Sequence, residues 1–219
     1  MERHFDLELE ELKKTLLAMS GMVEEAISKA VSSLEKLSPE LAREVISADQ
    51  RIDQLEIEID DKTFELIIRH QPLAGDLRLI LMAGKIGTDL ERIADLAVDI
   101  AQRTLELVGR PLIKPLVDIP KLSALAQRMV RESIESFVNL DGELARSVCS
   151  KDDEADFLRD MIYKELTEIV NRDGSLSGRA IPLILVSRHL ERICDHATNI
   201  AEDVVFLVEA KSIKHSEKR

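Results

Sequence analysis

Two stretches of this sequence recur about a hundred residues downstream, in the same order. Leu41-Ala42-Arg43 stands 103 residues before Leu144-Ala145-Arg146, and Asp49 and Asp53 stand at that same offset from Asp152 and Asp156. Farther on, Leu90-Glu91-Arg92-Ile93 precedes Leu190-Glu191-Arg192-Ile193 by 100 residues, and Asp95 matches Asp195. Chance explains one such match poorly and two in register hardly at all, so the chain reads as two copies of one unit. The shrinkage of the offset by three is most economically expected from a longer turn after Gln71 than at Asp173.

The unit is helical. Phe5, Leu9, Leu12, Leu16, Met19, Val23, Ala26, Ala30 and Leu37 form a stripe that steps by three and four with one gap, as a long helix facing a partner requires. Ser38-Pro39-Glu40 then supplies an N-cap serine and a proline for the first turn of a second helix. Its inner stripe is Leu41, Val45, Ile52, Leu55, Ile59 and Leu66, and Pro72 stops it near His70-Gln71. A third helix is expected over about 76–108, on Leu79, Met82, Ile86, Leu90, Ile93, Ala97 and Ile100. After a proline-bearing segment the plan repeats, over about 121–140 and 142–172 and then, past a turn at Asp173-Gly174-Ser175, to about 210. Only six of the 219 residues are aromatic, which disfavours sandwiches and barrels. The expected fold is all-α: two tandem, pseudo-symmetric three-helix bundles of six long helices, with no sheet. The first unit covers 1–109, a linker 110–120, the second unit 121–212 and a frayed tail 213–219.

Forty-two acidic against thirty basic side chains give a net charge of −12, which opposes nucleic acid and anionic membrane surfaces. Cys149 and Cys194 lack Cys-x-x-Cys spacing and are too few for a disulfide scaffold, so reduced thiols in the cytoplasm are expected. The longest apolar run, 181–186, is far short of the roughly eighteen residues a membrane span needs. Any membrane role passes through a partner.

Four segments share a carboxylate, three spacers and an aspartate: Asp49 to Asp53, Glu91 to Asp95, Asp152 to Asp156 and Glu191 to Asp195. Residues four apart share a helix face. Asp53 lies about as far before the Pro72 turn as Glu91 lies after it, so each unit is expected to gather four carboxylates. Such a group repels itself or takes up protons unless a cation relieves it, and hard divalent or trivalent metals favour oxygen ligands. Asp99 is a further candidate ligand in the first unit, as is Asn199, with Glu202 or Asp203, in the second. Against this stands the plainer reading, in which acidic faces of charged helices are solvated and Arg51, Arg92 and Arg192 make surface ion pairs. A di-iron oxidative enzyme would need Glu-x-x-His on two helices, and no histidine here has a glutamate three residues before it. His189 and His196 flank the second acidic pair and read first as partly exposed or core histidines.

Arg69-His70-Gln71-Pro72-Leu73-Ala74-Gly75-Asp76-Leu77-Arg78, followed by Asp89-Leu90-Glu91-Arg92-Ile93-Ala94-Asp95, resembles the first-repeat signature of the PhoU family of phosphate-transport regulators. Leu190-Glu191-Arg192-Ile193-Cys194-Asp195-His196-Ala197-Thr198-Asn199-Ile200-Ala201-Glu202 is similar to the family's second signature, which usually has glycine where Ala94 and Cys194 stand. The resemblance implies a cytoplasmic, non-catalytic negative regulator of phosphate uptake and of the phosphate-starvation response. It implies an adaptor between the ATPase subunit of the phosphate ABC transporter and the phosphate sensor histidine kinase, and a homodimer. The family's Glu-x-x-x-Asp motifs bind metal, often iron, in some members. Carried over by position, Asp49, Asp53, Glu91, Asp95 and Asp99 would form one site, and Asp152, Asp156, Glu191, Asp195 and Asn199 the other. The alternative is a carboxylate-rich metalloenzyme or a metal-storage bundle.

Overall fold

The computed structural model describes residues 2–211 and 213; the expected frayed tail lies almost wholly outside the described residues. Among the described residues seven α-helices follow one another: α1 (Glu2–Lys36), α2 (Pro39–His70), α3 (Ala74–Leu107), α4 (Asp118–Asn139), α5 (Gly142–Cys149), α6 (Asp152–Arg172) and α7 (Ser177–Glu209). No strand occurs among the described residues. The boundaries follow local chemistry. Ser38 Oγ accepts the Leu41 N–H at 3.3 Å with Pro39 at the first helical position, and α2 stops on Gln71, whose φ of 47° is left-handed, just before Pro72.

The expected six-rod plan holds with one joint in it. Where α2 runs unbroken, its counterpart is divided into α5 and α6 at Ser150-Lys151. Both residues keep near-helical dihedrals, and Lys151 N–H bonds Val148 O at 3.0 Å, three residues back rather than four. The step is a tightened 3₁₀-like turn that interrupts the helix without breaking register. Asp141 opens this rod by accepting the Glu143 and Leu144 N–H groups at 3.0 and 2.9 Å. A 3₁₀ turn over 174–176 leads into α7, so this connection spans residues 173–176 while its counterpart spans only 71–73, and a longer turn after Gln71 does not account for the change of offset.

Helices α1, α2 and α3 form one bundle, and α4, α5–α6 and α7 the other. The bundles lie side by side, joined along α3–α7 and α1–α4, and share one continuous apolar core. The stripes read from sequence supply it: Leu12, Leu16, Met19, Val23, Ile52, Ile59, Ile86, Leu90 and Ile93 are all but sealed from solvent. On α2 the first core position falls to Ala42 rather than Leu41, which is half-buried. At Gly87, α3 lies so close to α2 that an added Cβ would stand 3.1 Å from Ile59 Cγ2. That close approach brings the acidic face of α3 against the acidic face of α2 one turn farther on.

Helices α3 and α7 run antiparallel, and close polar contacts mark the seam. Lys85 reaches Asp203 at 3.2 Å, Asp89 meets His196 Nδ1 at 2.8 Å, and Asp99 stands 3.7 Å from His189 Nδ1. Across α1–α4, Arg131 directs both Nε and Nη2 at Glu24 Oε2, at 2.9 and 2.7 Å.

Candidate functional site

The recurring Leu-Glu-Arg-Ile motif divides along the helix surface. Leu90, Ile93, Leu190 and Ile193 are wholly buried, so the intervening Glu91 and Glu191 are held half-buried at the margin of the core, with Asp95 and Asp195 one turn on and exposed. Glu91 feels the charges of Asp95, Glu56 and Asp53, and Asp49 feels those of Asp53 and Asp95. Carboxylates of α2 and α3 therefore face each other in the first bundle. In the second, Glu191 feels Asp195 and Asp156 and lies within hydrogen-bond reach of Asp156. Among the described residues, no three His, Cys, Asp or Glu side chains already stand in a metal-holding group.

Burial, and then the neighbouring carboxylates, push Glu91 and Glu191 above the ordinary carboxylate range. Asp49 is raised furthest, to about 6, by burial first and then by Asp53 and Asp95. It borders a recess of about 70 Å³ whose apolar wall includes Met22, Ala26, Val45 and Val98, and no hydrogen-bond donor reaches it among the described residues. Because the folded chain holds this proton more tightly than the unfolded chain does, the charge on Asp49 weakens the fold above about pH 6. The penalty grows as pH rises from the unfolded value of 3.8 to about 6, and it vanishes only well below 3.8, where both states are protonated. Asp49→Asn in chelator is therefore expected to gain roughly 1 kcal/mol at neutral pH, after allowance for partial solvent screening. It should gain nothing below about pH 3, well under the unfolded value of 3.8, as denaturant midpoints from there to neutral pH would reveal.

Asp99 has a neighbour of its own on the other bundle. Asp99 turns toward His189 of α7, and neither Asp49 nor Glu91 feels its charge. Asn199 is half-buried on α7, while its neighbour Thr198 donates its hydroxyl to Asp152 Oδ1 at 3.3 Å. The ion pairs expected on the surface form in part: Arg51 with Glu58 at 3.3 Å, and Arg92 with Glu91 and Asp95 at 3.5 and 3.6 Å. Cys194 is buried, and its thiol is pushed far up by burial and then by the surrounding carboxylates, which leaves it inert.

Three contributors escaped the reading of the sequence. Glu56 joins the first cluster. Arg159 enters the second, with Nη1 donating to Glu191 Oε1 at 2.8 Å and Nη2 3.1 Å from Asp156 Oδ1. Thr198 satisfies Asp152. The signal for two of them was present, since the offset that pairs Asp53 with Asp156 also pairs Glu56 with Arg159.

The profile of the PhoU domain matches residues 16–104 and 119–204. A phosphate-specific transport system accessory protein PhoU homolog of Aquifex aeolicus is 43% identical over 208 residues, 95% of this chain and 94% of that protein. Its counterpart in Pseudomonas aeruginosa is 36% identical, over 98% of this chain and 89% of its own length. The crystal structure of PhoU from Pseudomonas aeruginosa superposes with a TM-score of 0.90 at 37% identity, covering 94% of this chain and all of that one. The phosphate transport system regulatory protein PhoU from Streptococcus pneumoniae superposes at 0.89 with 27% identity, over 95% and 99% of the two chains.

Proposed function

This chain belongs to the PhoU family, and from that premise we propose that it is a non-catalytic accessory protein of phosphate transport that represses phosphate uptake and the starvation response when phosphate is plentiful. The observation that carries the reading is the near-full-length identity to proteins named phosphate-specific transport system accessory proteins. In this reading the chain is a cytoplasmic adaptor, acting as a homodimer, that touches the ATPase subunit of the phosphate transporter and the sensor histidine kinase. No helix among the described residues is long and apolar enough to cross a membrane, which suits a protein reaching the bilayer through partners. Exposed Ile57, Phe64 and Ile68 on the outer face of α2 offer apolar surface for such contacts.

Metal belongs to the proposal through donor chemistry. Asp49, Asp53, Glu91 and Asp95, with Glu56 beside them, supply the oxygen ligands that a hard divalent or trivalent ion such as iron or manganese takes. Such an ion would tie α2 to α3 and relieve their mutual repulsion. The alternative metalloenzyme reading needs histidines at the carboxylate clusters, and here His196 is hydrogen-bonded to Asp89 while His189 faces Asp99 across the seam.

Deleting the gene in its own cell and measuring phosphate uptake and starvation-gene expression at high phosphate tests the regulatory reading. Both are expected to stay on in the deletion strain and to be silenced again by the intact gene. Normal silencing without the gene would defeat it. Purified transporter ATPase and kinase sensor domain, each titrated with this protein, test the two partners separately.

A further inference from the structure

The two carboxylate clusters differ at the positions that decide whether a cation must come from outside. In the first bundle, position 56 is a glutamate that adds to the charge around Glu91. At the matching place in the second bundle stands Arg159, so one exchange moves the local charge by two units. Its guanidinium lies 2.8 Å from Glu191, 3.1 Å from Asp156 and, through Nε, 2.9 Å from Asp160. The last is an ion pair without hydrogen-bond geometry, because Arg159 Nε makes no hydrogen bond. Arg159 thus bridges α6 to α7 as a metal would, on ligands from both helices. Arg92 does less for the first bundle: its side chain is more exposed than that of Arg159, 57% against 31%, and it stands 3.5 and 3.6 Å from its partners, both on its own helix.

A second exchange points the same way. Asp49 and Asp152 are equivalent, and so are Val98 and Thr198. Thr198 gives Asp152 a hydroxyl donor, while Val98 forms part of the apolar wall beside Asp49 and can give it none. The second cluster carries its own cation and its own donor. Among the described residues the first has only Arg92, whose partners both lie on its own helix, and a Thr88 hydroxyl on Glu56, with no cation tying α2 to α3 and no donor on Asp49.

We propose that Arg159 is the resident cation of the second carboxylate cluster, so that this half of the molecule takes up no metal and any metal the chain binds enters the Asp49, Asp53, Glu91 and Asp95 half. The inference rests on the metal reading above only for that last clause. The role of Arg159 stands on its own contacts.

The test uses the full chain and manganese(II) alone, with bound metal counted by electron paramagnetic resonance and melting followed in chelator and in excess manganese. Wild type is expected to lose its bound manganese on Asp95→Asn and to keep it on Glu191→Gln. Arg159→Glu, placed in the Asp95→Asn background, should restore manganese binding in the second half. Arg159→Gln should melt several degrees lower in chelator and recover in manganese. Loss of wild-type metal on Glu191→Gln would overturn the proposal, as would an unchanged melting point of Arg159→Gln in chelator. If wild type binds no manganese, the metal reading of the first half falls, and the chelator melting of Arg159→Gln still decides whether Arg159 holds the second cluster together. A folded Arg159→Glu, Asp95→Asn protein that binds no manganese would also count against the assignment.

Discussion

Replacing Leu190 with alanine is expected to lower the unfolding free energy by roughly 2–5 kcal/mol, while Arg192→Ala, two residues on, should change it by no more than about 0.5 kcal/mol. Leu190 is wholly buried on α7, the helix that serves both the second bundle and the seam with α3. Truncating it removes apolar area and leaves a cavity in a core that the surrounding helices cannot close. Arg192 is exposed and makes no ion pair or hydrogen bond among the described residues, so little is lost with it. Leu90, equally sealed on α3, should behave as Leu190 does. Denaturant unfolding of the three variants would check this, and a Leu190→Ala protein as stable as Arg192→Ala would mean that the motif is not anchored as described.

That contrast also explains how much could be read in advance. Burial on a helix follows a period that side-chain identity reveals, so the stripes of α1, α2 and α3 and the duplication were legible, as were the Ser38 cap and the stop at Gln71-Pro72. The joint at Ser150-Lys151 was not, because two residues in near-helical conformation leave the register intact and carry no glycine or proline to announce a bend. That the acidic pairs of α2 and α3 look toward one another was legible from equal distances to the turn; their spacing was not, and among the described residues no three of them stand in a metal-holding group. What surrounds them was not legible either: Asp99 looks like a one-turn extension of Glu91 and Asp95, yet it stands beside His189 of α7 across the seam. Helical periodicity fixes which residues share a face and leaves open which neighbouring helix that face meets. The pairs Asp89–His196 and Lys85–Asp203 depend on that same docking of bundle on bundle.

Manganese or iron at a hundred times its dissociation constant is expected to stabilise the chain by about 2.7 kcal/mol, a rise in melting temperature of about 5–10 °C for a chain of this size. Asp95→Asn should remove most of that gain. The same substitution should leave the metal-free protein as stable as wild type or slightly more so, because the Asp95 charge raises the proton affinity of both Asp49 and Glu91, and an amide at that position no longer repels them. A residue important only as a fold contact could not show both behaviours, since losing such a contact weakens the fold with or without metal. Asp195→Asn should leave the metal-induced shift intact, because Arg159 already neutralises its neighbours Glu191 and Asp156. Differential scanning calorimetry of the three proteins, in chelator and in excess metal, separates these outcomes. If metal moves none of the melting temperatures, the acidic face of the first bundle is left as charged surface available to a basic partner, and the regulatory role must run through protein contacts alone.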